Sequence, residues 1–204
     1  MEILLVGLLS YLSGSIPFGL IITKFFSGKD IRKIGSGNIG ATNVLRSGNK
    51  YLAIATLILD LLKGYFPIII TKQYFPELIQ LSCLSAFLGH IFPIWLKLKG
   101  GKGVATYLGI ITALSIQMSI LFIGTWIVVY LIFKYSSVSS IFSSLTILVV
   151  NFLRQTVIIA DSSLNPTINI VDSNILFIFF ILIVYTHRKN ISNLKNKKEP
   201  KTKL

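Results

Sequence analysis

Six apolar segments limit what this chain can fold into. They lie at about residues 1–26, 51–71, 78–96, 104–133, 137–160 and 174–186. A lipid bilayer offers the peptide backbone no hydrogen-bond partner, so a segment of about 20 apolar residues crosses it as a helix. Only 13% of the residues are charged, which is about half the share in a typical soluble domain. The sequence therefore predicts an all-α polytopic membrane protein.

The basic residues lie in three clusters that separate or follow these segments. Most of the 20 Lys and Arg residues fall within 24–50, 97–102 and 188–203. Cytoplasmic loops of membrane proteins carry the excess of positive charge, so we expect all three clusters on the cytoplasmic side. The stretch 161–173 contains Asp161 and Asp172 but no Lys or Arg, and we expect it outside.

These placements limit the number of spans. One span reaches the first basic cluster and two more reach the second, so an even number must lead from residue 102 to the basic tail. Only three apolar segments remain, but the 104–133 segment is long enough to divide near Ser115–Ser119. We therefore predict seven transmembrane helices, with the N-terminus outside and the C-terminus cytoplasmic. Five spans is the alternative, in which the 104–133 segment crosses once and a later segment stays at the interface.

The loop after the first span contains the first candidate site. Residues 34–46 read IGSGNIGATNVLR. Glycines let backbone N–H groups approach an oxyanion closely, and such concavities bind phosphate. The pattern is not a dinucleotide fingerprint, because it follows a membrane span and not a strand. A flexible interfacial loop is the alternative. We predict instead that the loop binds phosphate through neutral hydrogen-bond donors and the guanidinium group of an arginine. These candidate residues are Ser36, Asn38, Thr42, Asn43 and Arg46.

A glycine turn precedes the fourth apolar segment. Residues 88–106 read LGHIFPIWLKLKGGKGVAT, in which Gly100, Gly101 and Gly103 surround Lys102. A glycine turn that opens a helix presents unpaired N–H groups at the positive end of the helix dipole. We predict a second anion site at these four residues. The alternative is a tight helix connection, and His90 is interpreted as a packed histidine.

The last span ends in a third polar stretch, THRKNI at residues 186–191. His187 and Asn190 are three residues apart and share one helical face. A histidine ring exchanges protons near neutrality, so His187 could orient a phosphate or move a proton. In isolation, Arg188 and Lys189 are more typical of interfacial anchors.

Several kinds of site are excluded by the residues that the sequence lacks. Two His, one Cys and scattered acidic residues give neither a metal cluster nor a pair of catalytic carboxylates. Donors and cations without acid–base machinery suit phosphorylated substrates. The alternatives are a transporter of small phosphorylated anions and a non-catalytic binder of anionic lipid. Transport predicts charges deep in the spans, where only Asp60 and Lys63 are candidates, three apart on one face.

Taken together, these stretches resemble the bacterial membrane acyltransferases that move a fatty acyl group from acyl-phosphate to glycerol 3-phosphate. Residues 35–46, 88–106 and 187–191 are similar to the three cytoplasmic motifs of that family, in the same order. Residues 13–20 also resemble the family's sequences. The resemblance implies lysophosphatidic acid and inorganic phosphate as products, in the first acylation step of phospholipid synthesis. It implies no metal, no cofactor and no nucleic-acid partner. The enzyme would lie in the bacterial cytoplasmic membrane with its active site on the cytoplasmic face.

The resemblance also implies roles for individual residues. Ser36, His187 and Asn190 would be catalytic. The substrate-binding residues would be Asn38, Thr42, Asn43, Arg46, Gly100, Gly101, Lys102, Gly103 and Arg188. We expect one membrane domain over residues 1–194 and a basic cytoplasmic tail over 195–204, which can bind anionic lipid headgroups. The tail departs from the family pattern, because Asn193 and Lys197 replace an arginine and a glycine, whereas Glu199 matches.

Overall fold

The computed structural model describes residues 1–160 and 171–201. These residues are helical or irregular and contain no strand, so the all-α prediction is confirmed. The chain forms two compact units, Met1–Ala113 and Leu114–Leu204. Most of the stretch expected outside, 161–173, lies beyond the described residues.

The first unit contains the first two candidate loops. Its helices are α1 (Glu2–Ser15), α2 (Phe18–Ser27), α3 (Ala41–Arg46), α4 (Lys50–Tyr74), α5 (Ile79–Ile91) and α6 (Val104–Leu114), whose last residue lies at the unit boundary. The first apolar segment is broken between α1 and α2, where Pro17 has no N–H to continue the helical hydrogen bonds. This break was not predicted from the sequence.

Small residues let the helices of the first unit approach one another closely. A Cβ atom at Gly14 in α1 would overlap the backbone carbonyl of Ala86 in α5, and one at Gly64 in α4 would overlap the carbonyl of Thr106 in α6. Such contacts are typical of membrane helices, which associate by close packing and not by the hydrophobic effect.

The second unit contains α7 (Ile116–Phe133), α8 (Ser136–Ala160), α9 (Ser173–Thr186) and α10 (Arg188–Lys195). The indole of Trp126 in α7 donates to the hydroxyl of Ser140 in α8 over 3.2 Å. Near the other end of α8, the buried amide of Asn151 donates to the Val171 carbonyl and to Ser173, which begins α9. These three hydrogen bonds connect α8 to α7 before it and to the start of α9 after it.

Five helical stretches are long and apolar enough to cross a membrane: Glu2–Ser27, Lys50–Tyr74, Pro76–Leu96, Ile116–Phe133 and Ser136–Val157. The pair α9 and α10, bent by 54°, brings the number to six if it counts as one broken span. The 104–133 segment divides at Ser115, whose side chain caps α7. This break lies within the predicted interval, and the resulting α6 is a shorter apolar helix. The count of seven spans stays a prediction.

Candidate active site

The loop between α2 and α4 is anchored by an apolar cluster of its own. Ile31, Ile39 and Val44 are buried and pack with Ala53 of α4. At the start of the loop, Asp30 accepts hydrogen bonds from the side chain and the backbone N–H of Arg32, which lowers the pKa of Asp30 to about 2. This packing favours an ordered loop over the flexible alternative.

Asn43 organises the loop from within. Its buried side-chain amide donates to the carbonyls of Ile31, Ile34 and Asn38 over 2.7–3.0 Å. Its Oδ1 accepts the N–H of Ser36 over 2.9 Å. Both polar atoms of the Asn43 side chain are therefore engaged inside the loop.

The other predicted residues of this loop are more accessible. The side chain of Ser36 is exposed, whereas Asn38, Thr42 and Arg46 are partly exposed. The Oδ1 atom of Asn38 accepts the N–H of Gly40 over 2.9 Å. Ser36 and Arg46 therefore keep accessible surface on a framework that Asn43 holds.

The glycine turn between α5 and α6 is also tightly held. The N–H of Gly100 donates to the Ile91 carbonyl, and the N–H of Gly101 donates to the His90 carbonyl, both over 3.1 Å. These two N–H groups are engaged within the protein, which corrects our assumption that they are unpaired. Gly103 has a φ of +83°, which favours glycine. Lys102 is partly exposed.

His90 lies beneath this turn. Its ring is buried, and Nδ1 lies 2.9 Å from the hydroxyl of Thr106 in α6. A Cβ atom at Gly101 would overlap Nε2 of the same ring. The burial of His90 agrees with its interpretation as a packed histidine, but its contact with Gly101 could not be predicted from the sequence.

The two charges within α4 form a buried ion pair. Lys63 Nζ lies 2.8 Å from Asp60 Oδ1, and only 4% and 2% of these residues are exposed. The ammonium also donates to the carbonyl of Ile16, beside the break between α1 and α2. This geometry is that of a structural ion pair, and it gives no support to a transport pathway.

The third polar stretch lies at the bend between α9 and α10. His187 is buried, and its Nδ1 lies 2.8 Å from the Ile183 carbonyl. A carbonyl oxygen only accepts, so Nδ1 is protonated, and the neutral ring has its lone pair on Nε2. Arg188 is exposed, stacks on the ring of Tyr185 and donates to its carbonyl.

Glu199 connects the tail to this stretch. Its Oε1 accepts the side-chain amide of Asn190 over 2.6 Å and the hydroxyl of Ser137 in α8 over 3.3 Å. The role of the tail stayed open in the prediction from sequence, and these contacts show that Glu199 anchors it. The family pattern at Glu199 was the one signal that could have indicated this role.

Each unit thus assembles part of the predicted site. The first unit supplies the Ser36–Arg46 loop and the glycine turn, and the second supplies His187 and Asn190. Their predicted convergence involves both units and stays a prediction. Within residues 1–160 and 171–201, no three His, Cys, Asp or Glu side chains cluster as a metal site would require.

Comparisons with known proteins agree with the motifs. Residues 4–197 match a family model described as glycerol-3-phosphate acyltransferase. A protein of that name from Pelagibacter ubique is 53% identical over 208 residues, with 100% of each chain covered. Another from Mesorhizobium japonicum is 45% identical and covers 90% of this chain and 88% of that protein.

Two solved structures are similar over nearly the whole chain. Both are of PlsY, an integral membrane glycerol 3-phosphate acyltransferase, and both are 32% identical to this chain. The glycerol 3-phosphate form has a TM-score of 0.87 and covers 100% of this chain and 96% of that one. The lysophosphatidic acid form has a TM-score of 0.85, with 98% and 95% covered.

Proposed function

The chain belongs to the glycerol-3-phosphate acyltransferase family, and we propose that it transfers a fatty acyl group from acyl-phosphate to the 1-hydroxyl of glycerol 3-phosphate. The products are lysophosphatidic acid and inorganic phosphate. The ordered Ser36–Arg46 loop is the observation that carries this proposal. It sets a hydroxyl and a guanidinium group on a framework held by Asn43, as recognition of a small phosphorylated substrate requires.

Glycerol 3-phosphate binds through its phosphate to Ser36 and Arg46. A guanidinium group recognises phosphate oxygens through two parallel hydrogen bonds, each of which is worth about 1.5–3 kcal/mol. Asn38 and Thr42 border this site. Asn43 serves it indirectly, because its polar atoms are engaged within the loop.

The phosphate of the acyl donor binds at the glycine turn. Lys102 supplies the positive charge, and the N-terminus of α6 adds the positive end of its dipole. Gly100 and Gly101 act through the shape of the turn, because their N–H groups already have partners. The acyl chain lies along apolar helix surface open to lipid, where each buried methylene contributes about 0.8 kcal/mol.

In the reaction, the 1-hydroxyl oxygen attacks the acyl carbonyl carbon. The new ester bond forms, the bond between that carbon and the phosphate oxygen breaks, and the hydroxyl proton passes to a substrate phosphate. Lys102 and Arg46 stabilise the charge on the phosphate groups. His187 and Asn190 complete the site from the bend between α9 and α10, with Arg188 bordering it. We expect His187→Asn to have a lower turnover than wild type at every pH between about 5 and about 9. Full activity over this range would exclude a role for the imidazole.

The proposed topology has seven spans. These are α1 with α2, then α4, α5, α6, α7 and α8, and finally α9 with α10. The charge pattern supports this count: when α7, α8 and the α9–α10 pair all cross the membrane, the three basic clusters share one side only if α6 crosses as well. The N-terminus is then outside, the C-terminus is inside, and residues 1–194 act as one catalytic domain in the bacterial cytoplasmic membrane.

A comparison of donors tests the proposed function. Detergent-solubilised protein is incubated with glycerol 3-phosphate and either acyl-phosphate, acyl-CoA or acyl carrier protein thioester. We expect acyl product only with acyl-phosphate, with loss of that product when glycerol 3-phosphate is omitted. Equal rates with acyl-CoA would refute the donor assignment. Ion movement across vesicles without acyl product would instead identify a transporter.

A further inference from the structure

We propose that four buried residues, Asp60, Lys63, His90 and Thr106, hold the glycine turn and the Ser36–Arg46 loop in their active arrangement, with His90 as a positioning residue. These four are called the buried quartet below. The inference rests on the proposed function, because it assigns both loops to phosphate binding.

His90 holds the glycine turn at two points. Its backbone carbonyl accepts the N–H of Gly101, and its ring fills the space that a side chain at Gly101 would need. The ring in turn is fixed through Nδ1, which lies 2.9 Å from the Thr106 hydroxyl. Thr106 is in the first turn of α6. The turn that carries Lys102 is therefore supported from below by one imidazole.

The ion pair extends this support to α4. Asp60 Oδ1 lies 2.8 Å from Lys63 Nζ and 3.9 Å from His90 Nδ1. No donor with an acceptable hydrogen-bond angle reaches Oδ1 within the part of the chain that the structure describes. A buried ion pair contributes little net stability, since desolvation offsets the attraction. A positional role accounts for the pair better than stability does.

Lys63 also connects the quartet to the first loop. Its ammonium donates to the Ile16 carbonyl over 2.7 Å, and the Lys63 carbonyl accepts the hydroxyl of Ser13. Ile16 and Pro17 separate α1 from α2, and α2 leads directly into the loop that bears Ser36. One buried network thus contacts the start of the helix before the first loop and the underside of the glycine turn. It can set the distance between the two phosphate sites.

The contact between His90 and Gly101 can be tested with one substitution at each residue. Gly101→Ala places a methyl group where the imidazole lies, so the turn or the ring must move. His90→Asn keeps a polar atom near the position of Nδ1, within reach of Thr106, and removes the part of the ring that contains Nε2. The double variant therefore relieves the overlap. We expect Gly101→Ala to raise KM for acyl-phosphate at least tenfold. In the double variant, this KM should be at least threefold lower than in Gly101→Ala.

Two further measurements separate positioning from general stability. Hydrogen exchange over residues 97–106 should accelerate at least tenfold in Gly101→Ala and recover in the double variant, while the thermal midpoint of all variants stays close to that of wild type. Gly124→Ala is the matched control, because a Cβ atom at this α7 position meets nothing within 4 Å. It should change neither KM nor exchange.

The ion pair is tested by removing both charges together. Lys63→Met alone leaves a buried carboxylate without its cation, and this variant can fail to fold. Asp60→Asn combined with Lys63→Met avoids that problem. We expect the double variant to unfold near the wild-type midpoint and to raise KM for both substrates at least fivefold. A structural role alone would restore the KM values together with the midpoint.

Additive effects of Gly101→Ala and His90→Asn, in KM and in exchange, would overturn the positioning role. Wild-type KM values in the neutralised pair would overturn its contribution. Wild-type protein without acyl transfer would refute the proposed function instead. In that case the exchange measurements, which need no activity, would still decide whether His90 holds the turn.

Discussion

Replacement of Asn43 by aspartate is expected to open the Ser36–Arg46 loop. The two side chains have nearly the same shape, and an aspartate oxygen still accepts the N–H of Ser36. The amide protons are lost, however, and a carboxylate oxygen would then face the carbonyls of Ile31, Ile34 and Asn38. The substitution therefore removes the hydrogen-bond donors that hold the loop together and keeps the acceptor.

The size of the effect follows from these contacts. No other donor in the described part of the chain reaches the Asn38 carbonyl, and a buried acceptor left without a partner costs about 1–3 kcal/mol. The second amide proton serves the carbonyls of Ile31 and Ile34, and its loss costs about 0.5–1.5 kcal/mol. The sum is roughly 1.5–4.5 kcal/mol, so the open form of the loop should become at least about tenfold more populated.

Hydrogen exchange over residues 31–46, measured in detergent, reports this opening directly. We expect at least tenfold faster exchange in Asn43→Asp, together with a lower kcat/KM, because Ser36 and Arg46 lose their fixed framework. Asn38→Asp is the matched control for exchange, because its Oδ1 accepts the N–H of Gly40 and aspartate retains that acceptor. Its kcat/KM is not compared, since the new charge borders the proposed phosphate site. Exchange in Asn43→Asp within threefold of wild type would refute the assignment of Asn43 as the organiser of the loop.

Three other predictions concern the charged groups and the topology. Arg46→Ala and Lys102→Ala should each reduce turnover more than tenfold, and turnover within twofold of wild type would contradict the phosphate sites. The hydrogen bonds from Arg32 lower the pKa of Asp30 from 3.8 to about 2. The contribution of this contact to loop stability is therefore fully present above about pH 4 and is lost as the pH falls towards 2. Between pH 5 and 8, the protection of the loop against hydrogen exchange should show no transition that comes from Asp30. A transition in that range that Asp30→Asn removes would contradict this prediction. Single cysteines introduced at residues 38, 98 and 192 should not react with a membrane-impermeant label added from outside. Labelling at any of these positions would contradict the proposed topology.

Hydropathy and charge predicted the features that depend on local sequence. Each apolar segment corresponds to a helix or a helix pair, and the division of the 104–133 segment occurs at Ser115. A polar residue that can cap a helix is a local signal, which is why this break was predictable. The break at Pro17 has a local signal as well, but it was hidden within one continuous apolar run.

The features that the sequence did not indicate depend on contacts between distant residues. Lys63 bonds to a carbonyl 47 residues earlier in the chain. His90 contacts Gly101 across the turn, and Glu199 binds Asn190 through the tail. Hydrophobic periodicity contains no record of such partners. For the same reason, Asn43 looked like a ligand-binding amide, since its spacing did not show that its own loop engages both polar atoms.

The buried pair in α4 has a consequence for how the chain enters the membrane during synthesis. An isolated Asp or Lys at the centre of a span costs about 2.5–3.5 kcal/mol on the insertion scale. Asp60 and Lys63 lie within one helical turn, so α4 carries its own counter-charge from the moment it forms. Ile16 precedes Lys63 along the chain, so translation delivers the carbonyl that receives the ammonium before it delivers α4. The order of the helices along the chain therefore favours the integration of a segment that is costly to insert alone.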